Sequence, residues 1–166
     1  MLTDSAILLH RFSPPRSFAA LMTLYESNYI RLRALAPVLV ELGLRAGRFI
    51  SHVPGDVPLH VALCERSRYT TTLHMTYFFE QEGELVPDPD LSVRIYHDAR
   101  MAEALACGAH LRHPLLASFE TRCGSELERR WSRNMMLNKW LEYCSDRGHL
   151  LVAAPSASPL EVASAL

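Results

Sequence analysis

The sequence predicts an α+β domain, with four or five mainly antiparallel strands packed against an N-terminal and a C-terminal amphipathic helix. Three observations lead there. Apolar residues recur at intervals of three and four over residues 17–36 and again over 125–147. Between Arg48 and Ala99 the apolar period changes to two. Glycine, proline and acidic residues interrupt that middle region where turns would fall.

Ser17 follows Pro14 and Pro15 and is placed to accept from the orphan N–H groups of a first helical turn. Behind it, Phe18, Leu21, Met22, Tyr25, Tyr29, Leu32, Leu35 and Ala36 form one stripe. Pro37 ends or kinks this helix, and Val38–Leu44 suggests a short second one, stopped by Gly43 and Gly47. Strands are expected at Arg48–Val53, Pro58–Glu65, Tyr69–Phe79 and Leu91–Ala99, each with one apolar and one polar face. Glu80–Asp90, with five acids and two prolines, reads as an exposed, mobile connection. Met101–Leu105 fits a strand or a short helix, and Pro114 confines any strand in His110–Glu120 to an edge or bulge. The last helix opens at Ser125, with Glu128 at the reciprocal capping-box position. It carries Leu127, Trp131, Met135, Leu137, Trp140, Leu141 and Cys144 inward and ends at Gly148. Leu150–Ala153 is a candidate final strand. Residues 1–16 read as an N-terminal extension, 17–153 as a single domain and 154–166 as a flexible tail.

Composition narrows the functional classes. With 166 residues, 49% apolar, 21% charged and a net charge of −1, the chain has no general pull toward nucleic acid or a membrane surface. No apolar run approaches the ~20 residues that span a bilayer, and residues 1–16 make a poor signal peptide, so the expected compartment is the cytoplasm. Four cysteines are then expected as thiols. The seven glycines are too dispersed for a dinucleotide turn or a P-loop, and H-E-x-x-H, G-x-S-x-G and C-x-x-C are all missing. No cofactor is expected. The weak metal alternative is Cys107, His110 and His113 with Cys123, a spacing that matches no common zinc knuckle.

The best candidate site is the polar face of two neighbouring strands. If Tyr69–Phe79 pairs with Leu91–Ala99, then Thr70, Thr72, His74 and Thr76 share a surface with Arg94, Tyr96 and Asp98, and Arg68 adds a charge beside them. Hydroxyls, an imidazole, a phenol and guanidinium groups suit an anionic or polar ligand. An ordinary solvated sheet face would carry many of the same residues, because threonine and tyrosine are good strand formers. His97 and Asp98 do not make a catalytic dyad, since strand neighbours point to opposite faces; His97 belongs with Val93 and Ile95 as a hydrogen-bonded core histidine. Asn28 and Asn134 interrupt the apolar helix stripes and are expected to bridge buried backbone groups.

Several segments resemble the YqiB-like proteins, a family of short proteobacterial proteins classed as a domain of unknown function. They are Tyr25-Glu26 with Asn28-Tyr29 and Leu32-Arg33, Arg68 to Thr71, Val93 to Ala99 with Ala102-Glu103, and Asn134 with Trp140 to Cys144. The resemblance spans about residues 20–150 and implies no established activity, cofactor or catalytic residue. The expectation is a non-enzymatic binding or regulatory module that recognises a small anionic ligand or a protein partner. The alternatives are a small hydrolase or lyase using His74 with Asp98 or Arg94, and a homodimeric interaction protein.

Overall fold

The structure, a computed structural model, describes residues 16–40, 47–108, 116 and 124–152. His110, His113 and Cys123, the segment His110–Glu120 apart from Leu116, the end of the short helix, Ala153, the first fifteen residues and the tail lie outside the described residues.

Helix α1 runs Phe18–Leu35, and the one-turn α2 follows at Pro37–Val40. Five strands come next: β1 Gly47–Ser51, β2 Leu59–Arg66, β3 Thr70–Gln81, β4 Glu84–Tyr96 and β5 Met101–Cys107. They form one antiparallel sheet in sequence order, and the long helix α3, Glu126–Arg147, completes the described chain. The predicted α+β class and both helices are present.

The local chemistry at the helix ends is the chemistry read from the sequence. The Ser17 hydroxyl accepts from Ala20 N at 3.2 Å. Ser125 accepts from Glu128 N, while the Glu128 carboxylate accepts from Ser125 N at 2.7 Å. Gly148 closes α3 in the left-handed region at φ 90°, a conformation that strains other residues.

Three strand expectations are corrected. The stretch Glu80–Asp90 is not a loop: β3 continues to Gln81 and β4 begins at Glu84. Glu82 and Gly83 make the reversal, both at positive φ, the geometry of a two-residue hairpin turn. The prolines fit because Pro87 lies opposite Phe78, beside a bulge between Thr76 and Phe78 where ladder bonds are interrupted. At its other end β4 stops at Tyr96, leaving Asp98 in the four-residue turn that lets Met101 pair with Tyr96. Residues 150–152 do not extend the sheet.

One sheet face supplies the core. Leu59, Val61, Leu63, Leu73, Met75, Tyr77, Leu91, Val93 and Ile95 are buried with Leu32, Leu35, Leu137, Trp140, Leu141 and Cys144 from the helices. Trp140 meets the Tyr77 ring edge-on at 5.4 Å. Burial raises the Cys144 thiol to about 12, which leaves it an inert core group. A smaller cluster of Leu21, Leu24 and Tyr25 packs with Met101, Leu127, Trp131 and Met135.

The sheet edge at β5 is sealed by amides. Asn134 Oδ1 accepts from Ala104 N at 2.9 Å and from Asn28 Nδ2 at 3.2 Å, and Asn28 Nδ2 also reaches Ala102 O at 3.4 Å. Asn138 Nδ2 donates to Asn28 Oδ1 at 3.0 Å and to Ser27 Oγ at 2.9 Å. Two outward-facing backbone groups of an edge strand thereby gain partners from the helix pair.

A second polar cluster ties the end of α3 to the sheet. His149 is buried between Ser51 Oγ, 3.1 Å from Nδ1, and Asp56 Oδ2, 3.4 Å from Nε2. Arg147 Nε donates to Asp56 at 3.1 Å, and its Nη2 to Gly55 O. Burial raises the Asp56 carboxyl pKa, but the Val57 N–H and Arg147 more than offset this, so it lies below the ordinary value. A depressed carboxyl contributes stability above its unfolded-state pKa and loses it as pH falls through the folded one. Asp56→Asn is therefore expected to lower the melting temperature at neutral pH. The gap to wild type should close below about pH 4, as melts run from neutral to acid would show.

Candidate functional site

The other face of the sheet carries the residues singled out from alternation. β3 and β4 pair as required, with Thr70 opposite Tyr96, Thr72 opposite Arg94 and His74 opposite Ser92. All of these side chains are partly exposed, while Leu73, Met75, Val93 and Ile95 between them are buried on the helix side.

The residues fall into three groups. In the first, Arg94 Nε donates to Thr72 Oγ1 at 3.1 Å. Arg94 also interacts with the Tyr96 phenol, and it forms no ion pair among the described residues. Tyr96 stands beside it and donates to Glu103 Oε1 at 2.6 Å. Glu103, the cross-strand partner of Arg94, is buried, with Arg130 Nη1 3.8 Å from its other oxygen and the Tyr25 phenol alongside. Burial raises both phenols, and Glu103 raises them further against opposing Arg130 at Tyr25 and Arg94 at Tyr96; Tyr25 reaches about 12. The carboxylate therefore holds the neutral Tyr96 phenol in place and lies beside that of Tyr25, and the Tyr96 ring in turn bounds the space beside Arg94.

In the second group, His74 Nε2 hydrogen-bonds Asp90 Oδ1, both side chains about one-third exposed. Asp90 was hidden in the stretch read as a loop. The backbone near it is tight: Gly108 N donates to Asp90 O at 2.7 Å, and a Cβ on Gly108 would meet Asp90 Cβ at 2.8 Å. Asp98 lies past the end of β4 in the β4–β5 turn, while His74 pairs with Ser92, four residues or roughly 13 Å of strand before that end.

The third group is at the sheet end. Thr70 shares a 2.7 Å hydroxyl contact with Ser67, Arg68 stacks over the Tyr69 ring at 5.1 Å, and Asp98 is exposed in its turn. His97 points to the core side as expected, its Nε2 2.7 Å from Thr71 Oγ1. Burial and the Arg66 charge lower its pKa, Asp98 opposing. Thr76, read as part of the polar row, is buried by the bulge and donates to Tyr77 O at 2.7 Å.

Among the described residues no three His, Cys, Asp or Glu side chains gather as a metal site; Cys107, from the zinc alternative, lies 3.9 Å from Met136 Sδ. No helix there is long and apolar enough to cross a membrane.

The architecture defined so far is a five-stranded antiparallel meander with a helix pair on one face and an Arg-, Tyr- and Thr-bearing surface on the other. The chain belongs to the family described as protein of unknown function (DUF1249), which matches residues 31–150. It is similar to uncharacterized protein YqiB of Escherichia coli strain K12, at 25% identity over 147 residues, 87% of this chain and 98% of that protein. The YqiB proteins of Escherichia coli O6:H1 strain CFT073 and O157:H7 match to the same extent. No solved structure matches significantly.

Proposed function

We propose that the chain is a binding or regulatory module that recognises an anionic group, on a small ligand or a protein, through the Arg94 face. The supporting observation is the state of Arg94: its Nε is fixed by Thr72, its flank is bounded by Tyr96, and its charge is not neutralised by an ion pair among the described residues. A guanidinium held in this way meets a carboxylate or phosphate with little orientational entropy left to lose. Thr70 and Thr72 supply hydroxyls on the same surface.

A panel of carboxylate and phosphate metabolites, read by thermal shift, tests this. Hits on the wild type are expected to weaken by about ten- to hundredfold in Arg94→Ala, the equivalent of a charge-assisted hydrogen bond or two. If every shift is the same in wild type and variant, the reading fails.

The His74–Asp90 pair supports a second reading as a small hydrolase or lyase. There His74 is the base and Asp90, in place of Asp98, orients the ring. Turnover lost in His74→Ala and kept in Arg94→Ala would favour it.

A further inference from the structure

The β2–β3 and β4–β5 turns lie at the same end of the sheet and touch, His97 N donating to Tyr69 O at 2.9 Å. Arg66, Arg68 and Arg100 gather around them with, among the described residues of the two turns, one carboxylate, Asp98. Glu65 does not join this group, because it pairs with Thr72 and so faces the Arg94 side.

Arg66 is the unusual member. A bulge between Leu63 and Glu65 shifts the register by one, so Arg66 lies opposite the fully buried Thr71 and shares its helix-side face. Both of its terminal nitrogens, Nη1 and Nη2, are buried and have no hydrogen-bond partner among the described residues. The other partnerless atoms of that kind include the neutral Tyr25 hydroxyl and Trp140 Nε1, where the penalty is that of one missing bond. A guanidinium cannot shed its proton, so it has no route to neutrality other than an anion. Beside it the Thr71 hydroxyl and the His97 imidazole, 2.7 Å apart, add donor capacity without a negative charge.

We propose that this end of the sheet is a second anion site, in which Arg66 with Thr71 and His97 holds a phosphate-type oxyanion and Arg68 and Arg100 draw it in. Three cations against one carboxylate favour a dianion over a single carboxylate ligand. The site is distinct from the Arg94 face, since Arg66, Thr71 and His97 project from the opposite side of the sheet.

The test measures melting temperature against inorganic phosphate and against phenyl phosphate, with sodium chloride at matched ionic strength as reference. Wild type is expected to gain about 5–10 °C at a hundredfold excess over its dissociation constant. Arg66→Leu should lose the gain, and Arg94→Ala should keep it. Arg66→Lys, which preserves the charge and perturbs packing less, should need several-fold more phosphate and serves if the leucine variant does not fold. A response to inorganic phosphate assigns the site to the free ion; a response to phenyl phosphate alone assigns it to a phosphate carried on a larger ligand. A wild-type gain no larger than that in chloride, or a gain undiminished in both Arg66 variants, overturns the proposal. Loss in Arg66 variants with retention in Arg94→Ala separates this site from the sheet-face reading, and the reverse pattern would leave that reading standing alone.

Discussion

Asn134→Leu is expected to destabilise the protein by about 3–5 kcal/mol, a drop in melting temperature on the order of 10 °C. The side chain is fully buried, and its Oδ1 is the acceptor for both Ala104 N and Asn28 Nδ2. Leucine has the same branched skeleton and is larger, so the loss is not a cavity effect; it strands two buried donors, each costing about 1–3 kcal/mol. Asn134 Nδ2 also gives up its bond to Arg130 O. The measurement is urea denaturation followed by far-UV circular dichroism. A loss under about 1 kcal/mol would mean that water reaches the β5 edge and that the amides do not seal it. The Asn28→Leu/Asn134→Leu double variant should fall well short of the sum of the singles, because the two side chains share one bond.

Trp140→Ala is expected to cost about 3–5 kcal/mol through the cavity it leaves. The residue is 1% exposed, buried with Tyr77 of the sheet and Leu137 and Leu141 of its own helix. Trp140→Phe makes the informative contrast. Its indole Nε1 has no hydrogen-bond partner among the described residues, so phenylalanine forfeits volume but no bond. A cost of about 1–2 kcal/mol is expected, and chemical denaturation of the pair of variants checks it. A loss for the phenylalanine variant as large as for alanine would mean that the indole nitrogen carries a bond of its own.

Much of the fold was legible because periodicity reports directly on which side of an element is buried. The stripe from Leu21 to Leu35 and the run from Leu127 to Cys144 became the two main helices, and Ser17, Ser125 and Gly148 took the terminal positions their chemistry suits. Alternation also put Thr72, His74, Arg94 and Tyr96 on one face and His97 on the other. What alternation does not carry is register. The bulge after Leu63 turns Arg66 toward the helices, and the one after Thr76 buries that hydroxyl; each depends on cross-strand geometry that no local pattern encodes. Acidic and proline content misdirected the reading of Glu80–Asp90, and with it went Asp90, the partner of His74. Tyr25, Glu103 and Arg130 are far apart in sequence and meet only because the helix pair docks on the edge of β5. Asn28 and Asn134 were conspicuous as lone amides in apolar stripes, which identified the problem each had to solve but not the strand that solved it.

The sheet's strand order has a consequence for how the molecule is made. Each strand pairs with its immediate successor or predecessor, so every hairpin can close over a short loop as soon as both halves exist. Helix α1 is in the opposite position. Its buried amide Asn28 finds its partner Asn134 across a separation of 106 residues, and α3 is the last of the described elements to be synthesised. During translation α1 is therefore made long before α3, and only the part of its stripe that packs on the strands, such as Leu32 and Leu35, gains cover before α3 arrives. The order of synthesis leaves the side of α1 that meets α3 uncovered until α3 is made.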